Sequence, residues 1–223
     1  MWYNAHIMTD PANVTAILAE LEKLYPDARP ALHYRTPYEL LVAVILSAQC
    51  TDERVNKVTA ELFKAYDTPE KMLSLTQGEL EKKIYSCGFY RMKAEHILSA
   101  SADILQKYGG EVPSTQEELR TLAGVGRKTA NVVYAVAFGG DAIAVDTHVF
   151  RVSNRLGLAQ APTPEKTELQ LMEVLPRDVW SRAHHWLIYH GRRVCHSQKP
   201  DCAECTLKSR CSFFRRKYPS DDC

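Results

Sequence analysis

The sequence predicts an all-α protein, and three of its features favour that fold class. Apolar residues recur at helical spacing, and helix start and stop signals follow one another at intervals of roughly 12 to 20 residues. No segment convincingly shows the alternation of apolar and polar residues that is typical of strands. Proline follows capping residues where helices are expected to begin, and glycine pairs stand where they are expected to end. With 223 residues, 45% of them hydrophobic, the chain is long enough to bury a core.

The helices are predicted in order from these signals. Asp10-Pro11 and Thr36-Pro37 each place an N-cap before a proline and open the first two helices. Ser114-x-x-Glu117 is predicted to be a capping box. Apolar stripes or chain breaks predict the other helices within residues 55–62, 80–84, 94–108, 129–138, 147–156, 164–175 and 178–190.

The predicted domain boundary is the glycine-containing stretch Gly139-Gly140-Asp141. Residues 30–139 are predicted to form a helical bundle, and residues 140–223 a second helical domain. On the pattern alone, the first helix could join either domain.

Charge is distributed unevenly along the chain. The net charge is only +1, but residues 177–217 contain ten Lys and Arg against three Asp and Glu. A basic segment on a near-neutral chain is typical either of a phosphate-binding surface or of an ordinary solvated face.

The cysteine count and the length of the apolar segments indicate in which cellular compartment the protein is expected. An odd count of seven cysteines, four of them clustered, argues against a disulfide framework. Residues 1–8 lack the apolar run of a signal peptide, and no stretch approaches the roughly 18 apolar residues of a membrane span. We therefore expect a cytoplasmic protein without membrane contact, with Cys50, Cys87 and Cys223 as free thiols and the first two buried.

The clustered cysteines form the pattern C-x6-C-x2-C-x5-C, made by Cys195, Cys202, Cys205 and Cys211. This spacing is too compact for two zinc knuckles and lacks the histidine pair of a zinc finger. Four thiolates on a short loop are suited to a [4Fe-4S] cluster. A single zinc ion is the alternative.

A second motif lies at residues 119–129, which read L-R-T-L-A-G-V-G-R-K-T. Gly124 and Gly126 bracket a valine between two predicted helices, so the second helix would point free N–H groups outward beside Arg127. Such a helix start binds phosphate. The alternative is a plain helix–helix turn.

Two further residues carry candidate chemistry. Lys128 lies in the first turn of that second helix, where the positive helix end disfavours the ammonium form, as burial also would. Asp146, in V-D-T-H, would cap the next helix and is also suited to proton transfer or to stabilising positive charge on a sugar. A solvated lysine and a purely structural cap are the alternatives.

Together, the cysteine loop, the hairpin and the V-D-T-H segment resemble the endonuclease III family of DNA glycosylases, in the same order and at similar spacing. The hairpin matches the family pattern L-P-G-V-G-x-K-T-A except that Ala123 replaces its proline. The resemblance covers about residues 10–215 and implies two helical domains with a DNA cleft between them. It assigns residues 1–29 to the second domain and a [4Fe-4S] cluster to the four cysteines, and it makes Lys128 the nucleophile and Asp146 the essential carboxylate.

The resemblance also implies DNA contacts. Gln49, in L-S-A-Q-C-T-D, would fill the place of a flipped nucleotide, and Phe89, in G-F-Y-R-M-K-A, would act as an apolar wedge. A solvent-facing glutamine and a core phenylalanine are the alternatives. His148 is a further candidate contact, and the loop cations Lys199, Lys208 and Arg210 would face the backbone.

The implied function is removal of oxidised pyrimidines from double-stranded DNA, with cleavage of the abasic site through a lysine Schiff base. We expect a monomer acting in a prokaryotic cytoplasm at the nucleoid. The alternatives are a monofunctional adenine or thymine mismatch glycosylase, which lacks the lysine, and a non-catalytic Fe–S protein that binds DNA.

Overall fold

The computed structural model describes residues 10–219, and within them it contains helices and no strand. The twelve α-helices are α1 (Pro11–Leu24), α2 (Pro37–Ser47), α3 (Asp52–Leu62), α4 (Pro69–Met72), α5 (Gln77–Ile84), α6 (Tyr90–Tyr108), α7 (Gln116–Leu119), α8 (Arg127–Phe138), α9 (Thr147–Leu156), α10 (Pro164–Val174), α11 (Trp180–Arg193) and α12 (Ser212–Lys217). The prediction of an all-α fold is confirmed. The segment at 1–8 and the predicted free thiol of Cys223 lie outside the described residues.

The chain divides into two compact units, residues 30–142 and residues 1–29 with 143–223. These units are defined by contacts within the structure. The domain boundaries predicted from the sequence, 30–139 and 1–29 with 140–223, stay a prediction. In the described part of the chain, no helix is long and apolar enough to span a membrane.

Helix α2 forms the centre of the 30–142 unit. Its sequence P-Y-E-L-L-V-A-V-I-L-S is apolar on nearly every face, and its residues 38–46 are all buried. A helix that is hydrophobic all round must be surrounded by other helices, and α3, α6 and α8 pack against it. These helices carry the hairpin and the two loops described below, so the buried α2 fixes them to a common core.

The other unit is built from amphipathic helices. Helix α9 packs against α11, α10 and α12, and α1 packs against α11. The core they share includes Ile17, Leu21, Val152, Trp186 and Leu207, each at most 4% exposed. Burying a side chain of this size contributes about 1.5–3 kcal/mol. The cysteine loop follows α11 directly, so this core positions it.

The helix starts largely follow the predicted caps. Asp10 and Thr36 accept hydrogen bonds from the first turns of α1 and α2, and Asp146 does so for α9. The capping box predicted at Ser114 and Glu117 is wrong. Thr115 caps α7 instead, accepting from the backbone N–H of Glu118 while its hydroxyl donates to the Glu118 carboxylate.

Candidate functional site

The glycine hairpin joins α7 to α8 through a tight turn. Gly124 has a φ of +73°, and a Cβ there would lie 2.8 Å from the Cβ of His96, so only glycine fits without strain. Val125 is buried beneath the turn. A hydrogen bond of 2.5 Å from Gln116 Nε2 to Asn131 Oδ1 ties the two arms together. The turn is thus held in one geometry.

Helix α8 has Gly126 as its N-cap and no side-chain capping bond. Its N-cap glycine has extended backbone (φ −81°, ψ 178°), and open space surrounds the position where a Cβ would stand. Because the N-cap glycine has no side chain that could bond to the first N–H groups, the positive helix end is suited to an anion. Arg127, the first helical residue, is exposed beside them.

Lys128 is the second residue of α8 and its side chain is exposed. No hydrogen bond or ion pair from residues 10–219 engages the ammonium. The amine is therefore accessible to a ligand bound at the start of α8.

Asp146 is the N-cap of α9 and is half-buried. Its Oδ1 accepts hydrogen bonds of 2.8 Å from the backbone N–H groups of both His148 and Val149. The preceding residues Ala142 to Val145 are buried, and His184 Nδ1 lies 2.7 Å from the Ala144 carbonyl oxygen. The cap uses Oδ1 for both bonds and does not engage Oδ2.

His148 lies against its own unit. Its Nδ1 is 3.1 Å from Nη2 of Arg151, which also donates to the Gly191 carbonyl at 2.9 Å. Burial lowers the pKa of His148, so near neutral pH the ring is uncharged. Arg151 thus joins His148 on α9 to Gly191 on α11. The predicted role of His148 in DNA contact stays a prediction.

Gln49 and Phe89 occupy two loops of the 30–142 unit and share an unusual backbone. Both are exposed, Phe89 by 60%, so the alternative of a core phenylalanine is wrong. Both have left-handed φ angles, +52° and +47°. Among described non-glycine residues only Lys199 shares this conformation. Such strain persists only where neighbouring structure enforces it.

The four cysteines line one pocket together with His190, Asp201, Lys208 and apolar side chains that include Leu156 and Phe213. Cys211 is buried and the other three are half-buried. Burial raises the pKa of Cys205 and of Cys211. His190 Nε2 lies 3.7 Å from Cys205 Sγ. The donor set is thus four thiols in a largely apolar pocket.

In residues 10–219, no group of three or more His, Cys, Asp or Glu side chains is arranged around a single metal ion. A [4Fe-4S] cluster would take its ligands from the four cysteine thiolates. The residues present therefore fit a cluster by their chemistry and by the pocket they share.

Two arginines that the sequence reasoning did not identify hold the cysteine loop. Arg155 donates to the His196 carbonyl at 2.6 Å, and its Nη1 lies 3.4 Å from Cys195 Sγ. Arg151 Nε donates to the Cys195 carbonyl at 3.0 Å. They stand four residues apart on α9, so they share a face of that helix. This spacing is the feature of the sequence that could have indicated a joint role.

The predicted loop cations differ in their surroundings. Lys208 turns back and donates to the Ala203 carbonyl at 2.7 Å. Lys199 and Arg210 are exposed, the first in the left-handed conformation. The basic character of this segment extends into α12, where Arg215, Arg216 and Lys217 are exposed.

Comparison with known proteins places these features in a family. Residues 42–177 match the model of the HhH-GPD superfamily base excision DNA repair protein. Endonuclease III of Synechocystis is 52% identical over 198 residues, which cover 88% of this chain and 90% of the relative. Endonuclease III of Bacillus subtilis is 50% identical over 195 residues, covering 87% and 89%.

A solved structure of a trapped endonuclease III–DNA covalent intermediate has a TM-score of 0.89 to this chain. It is 47% identical and covers 94% of this chain and 99% of its own. The extent of these matches confirms the resemblance read from the motifs. The chain belongs to the endonuclease III family within the HhH-GPD superfamily of base excision DNA repair proteins.

Proposed function

We propose that this protein is a DNA N-glycosylase with apurinic/apyrimidinic lyase activity that excises oxidised pyrimidines from double-stranded DNA. The observation that carries the proposal is Lys128, an exposed amine in the first turn of an uncapped helix that follows a fixed glycine hairpin. That arrangement joins a phosphate site to a nucleophile. The trapped covalent intermediate described for a 47% identical relative supports it.

The chemistry proceeds in two stages. Lys128 Nζ forms a bond to C1′ of a flipped deoxynucleotide while the bond from C1′ to the damaged base breaks and the base leaves with a proton. Ring opening gives a Schiff base between Nζ and C1′. Loss of a proton from C2′ then expels the 3′ phosphate, and the strand is cut on the 3′ side of the lesion.

Asp146 provides the carboxylate for this sequence. Its Oδ2 stabilises positive charge that develops on the sugar and assists the proton transfers, while Oδ1 holds the start of α9. Gln49 and Phe89 occupy the space of the flipped nucleotide and unstack its neighbours. Gly124, Gly126 and Arg127 bind backbone phosphate, and we retain His148, Lys199, Lys208 and Arg210 as additional contacts.

We further propose that Cys195, Cys202, Cys205 and Cys211 hold a [4Fe-4S] cluster. Bound there, it would pin the loop that carries the cations and link the folding of this unit to the metal. The organisms of the similar proteins are bacteria, which supports a cytoplasmic enzyme that acts at the nucleoid.

Borohydride trapping on a thymine-glycol duplex tests the enzymatic proposal. We expect the wild-type protein to form a covalent adduct with the damaged duplex, because borohydride reduces the Schiff base to a stable amine. An undamaged duplex of the same sequence should give no adduct, because it forms no Schiff base. Release of base without an adduct would replace the proposal with a monofunctional glycosylase. Neither adduct nor base release on any oxidised-pyrimidine duplex would favour a binding-only protein.

Metal analysis tests the cofactor proposal. We expect about four iron and four sulfide per chain in protein purified without air, because four thiolates match a cubane cluster. About one zinc per chain and no sulfide would contradict it. This assay needs no DNA, so its result is independent of the trapping experiment.

A pair of glycine substitutions separates folding from phosphate binding in the hairpin. Gly124→Ala should lower the free energy of unfolding by more than about 1 kcal/mol, because alanine must adopt a positive φ and its Cβ would overlap His96. Gly126→Ala has open space and a negative φ, so stability should change little. Its methyl group should nevertheless weaken DNA binding by crowding the helix start. Urea unfolding and duplex titration measure both; equal destabilisation by the two variants would contradict the assignment.

A further inference from the structure

A buried lysine lies between the two loops that carry Gln49 and Phe89. Lys93, on α6, is only 3% exposed. Its Nζ donates three hydrogen bonds, to the carbonyl oxygens of Leu46 at 2.8 Å, Ala48 at 2.7 Å and Cys87 at 2.8 Å. These bonds use all three N–H donors of the ammonium, so Lys93 is fully committed to backbone.

The three carbonyls belong to two helix ends. Leu46 and Ala48 stand at the C-terminus of α2, where carbonyls lack partners within the helix. Cys87 ends the 3₁₀ turn Tyr85–Cys87. A positive charge stabilises such ends. Lys93 therefore caps two separate segments with one ammonium, although it lies in the first turns of α6, where helix electrostatics alone disfavour a cation.

Each capped end leads directly into a strained residue. Gln49 follows Ala48, and Phe89 follows Cys87 by two positions, and both are left-handed and exposed. The backbone N–H of Lys93 also donates to the Phe89 carbonyl at 3.1 Å. A non-glycine residue keeps a left-handed conformation only when its surroundings enforce it. The bonds from Lys93 hold Ala48, the residue before Gln49, and Cys87, which begins the Phe89 loop. They therefore help to keep both exposed residues in the left-handed conformation.

We propose that Lys93 is a positioning residue that locks the Gln49 loop and the Phe89 loop together, so that both side chains are pre-set to enter the duplex at one lesion. This inference rests on the proposed function and deepens it. Lys93 does not touch the sugar or the base. It acts by holding two loops that the sequence separates by 40 residues, so that binding DNA need not order them.

A mutant cycle tests this role. Lys93→Met keeps an unbranched chain of similar length but removes all three donors. It is made in the wild type and in a Gln49→Ala/Phe89→Ala background. Two rates are followed in single turnover: base release from a thymine-glycol duplex, and the fluorescence rise of 2-aminopurine opposite an uncleavable abasic analogue. Lys107→Met is the matched control, since this lysine lies on the same helix, is exposed, and pairs with Asp103.

In the wild-type background, Lys93→Met should slow both rates by about tenfold or more, equivalent to about 1.4 kcal/mol. In the double-alanine background it should slow them by less than about twofold, because the side chains through which it acts are already gone. Lys107→Met should change neither rate.

The same tenfold slowing in both backgrounds would overturn the inference, because the effects of independent sites multiply. If Lys93→Met does not unfold cooperatively in urea, Lys93→Arg takes its place. Arginine keeps the charge, but its planar guanidinium cannot direct three N–H groups from one nitrogen. The inference then requires the same dependence on background. Absence of base release by the wild type itself would instead defeat the proposed function.

Discussion

Replacing Lys128 with alanine is expected to abolish borohydride trapping and to lower the rate of strand cleavage by about 10⁴-fold or more, as loss of a catalytic nucleophile does. The physical reason is that alanine has no group that can form the Schiff base. Stability should be nearly unchanged, because Lys128 is exposed and alanine is a strong helix former. Trapping on a duplex with a preformed abasic site isolates the lyase step, and urea unfolding checks the fold.

Arg127→Gln is the matched control for this experiment. It removes a cation from the same helix turn but leaves the amine of Lys128. We expect it to weaken duplex binding and to reduce by about one the number of ions released on binding, measured from the salt dependence of the binding constant. The protein should still form the adduct. If Lys128→Ala still traps DNA as well as Arg127→Gln does, another amine is the nucleophile and the assignment is wrong.

Local chemistry explains what could be predicted from the sequence. Asp10-Pro11 and Thr36-Pro37 specify helix starts within a few residues, and no distant contact is needed to satisfy them. The failure at Ser114 is equally local. Ser114 and Thr115 are adjacent and each has a glutamate three residues later, so the capping-box pattern occurs twice. A one-residue ambiguity of this kind is resolved only by packing, here by the burial of Leu119.

The missed residues act across long sequence separations. Lys93 bonds to Leu46 and Ala48, 47 and 45 positions away, and Arg155 bonds to His196, 41 positions away. No periodicity in either segment encodes the partner. The strain at Gln49 and Phe89 was likewise unreadable, because neither residue type favours a positive φ as glycine does. Sequence motifs thus located the candidate chemistry, and tertiary contacts show what holds it in place.

Substitutions at Asp146 should separate its two roles. Asp146→Asn is expected to lower base release by about 10²–10⁴-fold, the usual contribution of a positioned carboxylate. Its stability should stay close to that of the wild type, because asparagine caps a helix about as well as aspartate. Asp146→Ala should lose the same activity and, in addition, about 1 kcal/mol of stability, because the N–H groups of His148 and Val149 lose their acceptor. Single-turnover base release and urea unfolding measure the two effects.

Asp10 provides the control for that separation, since it is exposed, caps α1 by accepting from the N–H of Ala12 at 3.0 Å, and has no part in the proposed chemistry. Asp10→Asn and Asp10→Ala should reproduce the difference in stability between the two Asp146 variants without the loss of base release. If Asp146→Asn retained base release within about threefold, well under the usual general acid–base contribution, Asp146 would be a cap and nothing more. The catalytic carboxylate would then have to be sought elsewhere, because Oδ2 of Asp146, although left unused by the cap, would have no part in the reaction.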